Sequence, residues 1–116
     1  MKKKPSPHQP QGYGWHPDLP DHRDHVYAAA PEHLAALPAK VDLRAQCPAV
    51  YNQGQIGSCT ANAIAAAIEF DLLKQKSADF VPSRLFIYFK ERAMEHTVAT
   101  YSGAQLRDGV KSVNKL

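Results

Sequence analysis

The chain has 116 residues, 22% of them charged, and a formal net charge of +3. That length allows one small domain, and acids and bases are too evenly mixed along it for a nucleic-acid footprint. No apolar run approaches the roughly 20 residues that span a bilayer, and two cysteines, Cys47 and Cys59, make neither a disulfide scaffold nor a CxxC zinc pair.

Lys2, Lys3 and Lys4 open the chain. No apolar stretch follows them, so no export signal is read and the default compartment is the cytoplasm; the run itself reads as a solvated tail. Residues 1–39 are rich in Pro, His, Asp and Gly. Proline fixes φ and removes a backbone donor, which predicts an extended leader with one short helix within Ala28–Leu37. Tyr13, Trp15, Leu19 and Val26 give this leader scattered apolar anchors, so it is expected to lie on a surface, a partner's or that of its own molecule. Its histidines, His8, His16, His22, His25 and His33, are irregularly spaced. His22 and His25 with Asp21 and Asp24 are a candidate metal group, but a polar linker explains them better and no metal is expected.

The alternation Val41-Asp42-Leu43-Arg44 predicts a short strand, and Pro48, Gly54 and Gly57 mark irregular backbone after it. From Cys59 the period changes. Ala61, Ile64, Ala65, Ile68 and Leu72 recur at three and four residues, predicting an amphipathic helix with Ser58 at its N-cap and an end near Lys74–Ser77. A second helix should start at Pro82–Ser83, with Leu85, Phe86, Phe89 and Ala93 inward and Lys90, Glu91 and Arg92 toward water. His96 then reads as a solvated surface residue. A third helix is expected from Ser102, with Gln105 at the capping-box spacing and Leu106, Val110 and Val113 as its stripe. Its pattern runs to Leu116 with no stop signal, the expectation for a truncated protein.

The chemistry concentrates at Cys59. A thiol attacks as the thiolate, and a free one, with a pKa of about 8.5, is mostly protonated at neutral pH. The positive end of a helix favours the anion, and Cys59 stands where the long helix begins. Gly57 and Ser58 are small enough to admit a substrate backbone. Gln53 can aim a side-chain NH₂ at the same place, so that with the Cys59 N–H two donors would meet a developing oxyanion. A bland reading stands beside this one: a lone cysteine heading an alanine-rich helix as buried packing. A thiol redox role is disfavoured, because Cys59 has no resolving cysteine two or three residues away.

The run Asn52-Gln53-Gly54-Gln55-Ile56-Gly57-Ser58-Cys59-Thr60-Ala61 resembles the active-site segment of papain-like cysteine peptidases, which reads Asn-Gln-Gly, two variable residues, then Gly-Ser-Cys. Val41-Asp42-Leu43-Arg44 is similar to that family's Val-Asp-Trp-Arg opening, and Tyr101-Ser102-Gly103 to its stretch of substrate-binding glycines. The resemblance covers residues 40–116. It implies an α+β papain-like fold, of which this chain supplies the helical lobe with the central helix from Cys59, preceded by the leader. It implies Cys59 as nucleophile, Gln53 as oxyanion-hole side chain, and Gly57, Ser58, Ser102 and Gly103 along an extended peptide substrate. No cofactor is implied. The expected partners are a peptide or protein substrate and a β-rich second lobe.

The chain departs from the family in three ways. Ile56 stands where the family usually has a disulfide-bonded cysteine, and Thr60 where it has Trp or Tyr. The general base, a His oriented by an Asn, belongs to the second lobe and would lie beyond Leu116, so this chain alone is expected to have little activity. Cys47 reads either as a partner for a cysteine of that lobe or as a small buried side chain. The leader is too short and too proline-rich for the family's helical pro-domain, yet it could inhibit by running through the cleft with Tyr13 and Trp15 in pockets. The leading expectation is a thiol endopeptidase working through an acyl-enzyme. The alternative is a catalytically inactive relative that binds peptides or proteins.

Overall fold

A computed structural model describes residues 13–78 and 80–115; the lysine run, His8 and Leu116 lie outside them. The element order is β1 (Trp15–His16), α1 (Pro31–Ala35), a 3₁₀ turn (Arg44–Gln46), α2 (Cys59–Lys74), α3 (Arg84–Met94), β2 (Ala104–Gln105) and α4 (Leu106–Asn114). Helices α2, α3 and α4 pack on one another and form the body.

The predicted periodicity of α2 is what builds the core. Ala61, Ile64 and Ala65 are buried, Ile68 packs at their edge, and Ile87 and Tyr88 of α3, Ala104 of β2 and Val113 of α4 close around them. Alanines let the helices approach, while each buried isoleucine contributes about 1.5–3 kcal/mol. The end of α2 falls in the expected window: Gln75 is its C-cap and Lys76 turns left-handed with φ 54°.

Helix α3 starts as predicted, with the Ser83 hydroxyl accepting the Phe86 N–H at 3.3 Å. Its buried face is not the predicted one. Ile87, Tyr88 and Glu91 point inward, whereas Leu85 is 63% and Phe89 51% exposed. Two stripes along this helix have helical spacing, and the partners decided between them. The side of α3 that bears Glu91 meets a hydroxyl, Thr60, and a glycine, Gly109, which leaves room for the carboxylate.

Helix α4 also departs from expectation. It begins at Leu106 rather than Ser102, its N-cap Gln105 makes no side-chain cap bond, and its buried residues are Gly109 and Ser112. Leu106 and Val110 are exposed; of the predicted stripe only Val113 reaches the core. The capping box fails because Ser102 precedes a strand. The orphan N–H groups find remote acceptors instead: Gln105 N–H donates to Glu95 Oε1 at 2.7 Å, and Arg107 N–H to Asp18 Oδ1 of the leader at 2.9 Å.

The strand predicted at Val41–Arg44 does not form. The Asp42 carboxylate accepts the Arg44 N–H at 3.1 Å and pairs with the Arg44 guanidinium, which folds the chain into the 3₁₀ turn. Local side-chain bonds of this kind compete with a ladder. The short leader helix α1 lies inside its predicted window, with Pro31 in its first turn and no buried residue. The leader also does something its sequence did not signal: β1 pairs in parallel with β2, Trp15 opposite Ala104 and His16 opposite Gln105.

Candidate active site

Cys59 is the first residue of α2 and is partly exposed, its thiol unpaired. Ser58, directly before it, is buried and occupies the N-cap position, yet its hydroxyl makes no cap bond. Asn62, one turn on, holds it instead: the Asn62 Nδ2 group donates to the Ser58 carbonyl at 2.7 Å and to its hydroxyl at 3.0 Å. Arg84 of α3 steadies Asn62 in turn, with Nη1 2.9 Å from Asn62 Oδ1 and 3.3 Å from the Asn52 carbonyl, and its guanidinium lies 4.5 Å from the centre of the Tyr51 ring. Helix α3 is thereby tied to both ends of the Asn52–Ser58 loop.

Within that loop, Gly54 is left-handed at φ 63°, and its N–H donates to Asn52 Oδ1 at 2.8 Å. Gln53 Nε2 donates to the Ile56 carbonyl at 2.8 Å, and the Ser58 N–H reaches the same oxygen at 2.8 Å. The amide of Gln53 is therefore held by the backbone just upstream of the thiol.

On the other side of the loop, three glycines stack. Gly14 of the leader lies between Gly57 and Gly103. A Cβ on Gly14 would fall 1.7 Å from the Gly57 oxygen, and one on Gly103 would fall 2.0 Å from the Gly14 oxygen. The Gly14 carbonyl accepts the Ala104 N–H at 2.6 Å, and His16 Nε2 donates to the Ser102 carbonyl. Gly57, Ser102 and Gly103 thus come together around an extended peptide backbone, bordering a cavity of about 480 Å³ with Tyr13, Gln55 and Tyr101. It is Gly14 that enters the groove. The flanking rings do not: Tyr13 is 83% and Trp15 51% exposed. Leu19 and Val26 are exposed as well.

Charge fastens the leader beyond this point. Arg107 bonds Asp24 at 2.7 Å and lies 3.4 Å from Asp21, which Arg23 also engages. Hydrogen bonds from Arg23, with the Arg107 charge adding, hold the Asp21 carboxyl far below its ordinary range; Arg107 lowers Asp24 in the same way. These two acids face guanidinium groups, and no cluster of three or more His, Cys, Asp or Glu suited to a metal ion occurs among the described residues.

Glu91 of α3 is fully buried. Its Oε2 accepts the Thr60 hydroxyl at 2.8 Å, while Oε1 has no partner and faces Gly109. Burial pushes this carboxyl up to about 7; the Thr60 hydrogen bond opposes the rise, and the charges of Glu95 and Asp108 add to it. The residue after the candidate nucleophile is thus anchored to an acid that titrates near neutrality. The sequence reading put Glu91 in water and passed over Asn62 and Arg84, because nothing in their spacing marks them; Tyr101 entered it only as the first residue of the Tyr101-Ser102-Gly103 stretch, with no role of its own. Cys47 is exposed, its thiol donating to the Leu43 carbonyl at 3.3 Å. It borders an apolar cavity of about 550 Å³ between residues 43–51 and the outer side of α2, with Val50, Ala66, Ala67 and Phe70.

No family profile matches the chain. An uncharacterized peptidase C1-like protein of Acanthamoeba polyphaga mimivirus is 54% identical over 65 residues, 55% of this chain and 21% of that protein. The crystal structure of xylellain, a cysteine protease from Xylella fastidiosa, superposes with a TM-score of 0.76 at 49% identity over 94% of this chain. The chain spans 41% of the xylellain chain, and so less than half the length of either relative. It is a relative of the papain-like C1 cysteine peptidases that matches the helical-lobe portion of their fold.

Proposed function

We propose that the chain is the nucleophile-bearing part of a cysteine endopeptidase. The observation that carries the reading is the occupied groove: an extended segment lies against Gly57 and Gly103, held by main-chain hydrogen bonds, two residues upstream of a partly exposed thiol at a helix N-terminus. A site that holds one polypeptide in this way is suited to hold another as substrate. In the reaction, Cys59 Sγ attacks the peptide carbonyl carbon. The oxyanion that forms is met by the Cys59 N–H and by one N–H of the Gln53 amide, whose other N–H stays on the Ile56 carbonyl, and the amine departs to leave an acyl-enzyme, which water then hydrolyses. The proton moves through an imidazole supplied by a β-rich second lobe, as the family resemblance implies. That lobe would seat on the apolar cavity flanked by Val50, Ala66, Ala67 and Phe70.

The leader is read as an inhibitor in this scheme. It fills the groove with Gly14 and is fastened by Asp18, Asp21 and Asp24 to the start of α4.

Iodoacetamide labelling tests the assignment. Cys59 should react faster than Cys47 although Cys47 is the more exposed, the fast label should vanish in Cys59→Ala and persist in Cys47→Ala, and removal of residues 1–39 should quicken it further. Equal, slow labelling of both thiols would sink the peptidase reading. It would leave the second one, a catalytically inactive peptide-binding relative, which the occupied groove also suits.

A further inference from the structure

The loop that leads into Cys59 lacks the disulfide that the family usually places at the position of Ile56, and the structure shows a different tie. The Tyr101 hydroxyl accepts the Gly57 N–H at 2.8 Å and donates to the Gln55 carbonyl. It therefore bonds the residues on both sides of Ile56, while the Ile56 carbonyl receives Gln53 Nε2 and the Ser58 N–H. Tyr101 is itself held from the body. The Arg92 guanidinium stacks 4.9 Å from the centre of the buried Tyr88 ring and donates to the carbonyls of Thr97, Val98 and Thr100, the segment that ends at Tyr101. A continuous set of contacts thus runs from α3 through the 97–100 loop to the backbone that holds the Gln53 amide.

We propose that Tyr101 is a positioning residue: its hydroxyl clamps Gln55–Gly57 to the Ser102–Gly103 segment that leads into β2 and, through the Ile56 carbonyl, sets where the Gln53 amide is held in the loop before Cys59. This rests on the peptidase reading for its consequence and on hydrogen bonds alone for its geometry. The clamp replaces one covalent bond with two exchangeable ones. Tyr101 is 73% exposed as a residue, so little core packing depends on it; what the loop loses without the hydroxyl is direction. The Gly57 amide would open to water, and the Ile56 carbonyl would turn away from Gln53.

The test is Tyr101→Phe in the 116-residue chain, which keeps the ring and removes one oxygen. Amide exchange followed by NMR should be about tenfold or more faster at Gly57, the size expected when one hydrogen bond is lost. The Gln53 side-chain NH₂ resonances should move toward those of a free glutamine, and the amides of Ile64 and Ala65 in α2 should keep their rates. Gly57 exchange within about twofold of wild type would overturn the clamp, as would an equal acceleration across α2, which would mark general loosening. The two readings fail separately. If iodoacetamide labels wild-type Cys59 no faster than Cys47, the peptidase proposal falls, and Gly57 exchange in Tyr101→Phe still decides the clamp.

Discussion

The two sides of Cys59 are built by different physics. Downstream, α2 is held by burial: Ala61, Ile64 and Ala65 are packed by Ile87, Tyr88 and Ala104, and the fully buried carboxylate of Glu91 is bonded to Thr60. Upstream, the loop and the leader segment on it are held by hydrogen bonds and ion pairs, all but the buried Gly14–Ala104 bond near the surface: Tyr101 on Gln55 and Gly57, Arg84 on Asn52, Gly14 on Ala104, and Asp18 and Arg107 across the start of α4. Buried apolar contacts are worth several kcal/mol per residue and resist local opening; exposed polar ones are worth about 1 kcal/mol or less and open readily. A rigid thiol therefore sits beside a groove whose present occupant can leave.

Substitutions can break or sharpen this contrast. The largest effect should come from Ile64→Ala in the core. Loss of the side chain and the cavity left behind should lower unfolding free energy by about 3 kcal/mol in urea titrations, without selectively freeing the leader.

Next comes Glu91. Its folded pKa of about 7 stands above the ordinary carboxyl value of 4.5, so the folded state binds the proton more tightly than the unfolded chain. The body is then most stable below about pH 4.5 with respect to this group, and it loses stability as pH rises through 7. The full loss is on the order of 3 kcal/mol. Glu91→Gln should flatten the pH dependence of the urea midpoint between pH 5 and 8, with the larger gain over wild type on the alkaline side. An unchanged slope would mean that Glu91 is charged and solvated in the folded chain.

Smaller still is Asp18→Ala, which takes a carboxylate cap from α4. It should cost about 1 kcal/mol and raise exchange at the Arg107 amide. The smallest effect on global stability is expected from Gly14→Ala. Its methyl has no room beside the Gly57 carbonyl, so the leader should undock: exchange at the Ala104 amide and proteolysis within residues 13–30 should rise, while the urea midpoint of the body barely moves. If Gly14→Ala instead unfolds the body, the leader belongs to the cooperative core and the contrast fails.

Helix α2, its start at Cys59 and its end near Lys74 were legible because a period of three to four apolar residues and a flanking turn are local properties. The segment Asn52–Cys59 was legible as chemistry because its residue types and spacing carry that meaning. The faces of α3 and α4 were not. Each helix has two stripes that satisfy the same period, and which one is buried depends on the neighbour, here Thr60 and Gly109 for Glu91. The start of α4 was missed because its caps come from Glu95 and from Asp18, and the latter bond joins residues 18 and 107.

By itself, then, the sequence determined where the central helix begins, which thiol heads it, and where the short leader helix falls. Only the tertiary structure decided that Gly14 enters the groove, that Glu91 is buried, and that Tyr101 and Arg107 hold distant segments in place. The division has one physical cause. Helical period, capping and proline stiffness act over a few bonds, while burial and long-range hydrogen bonds are settled only when segments far apart in the chain compete for the same partner.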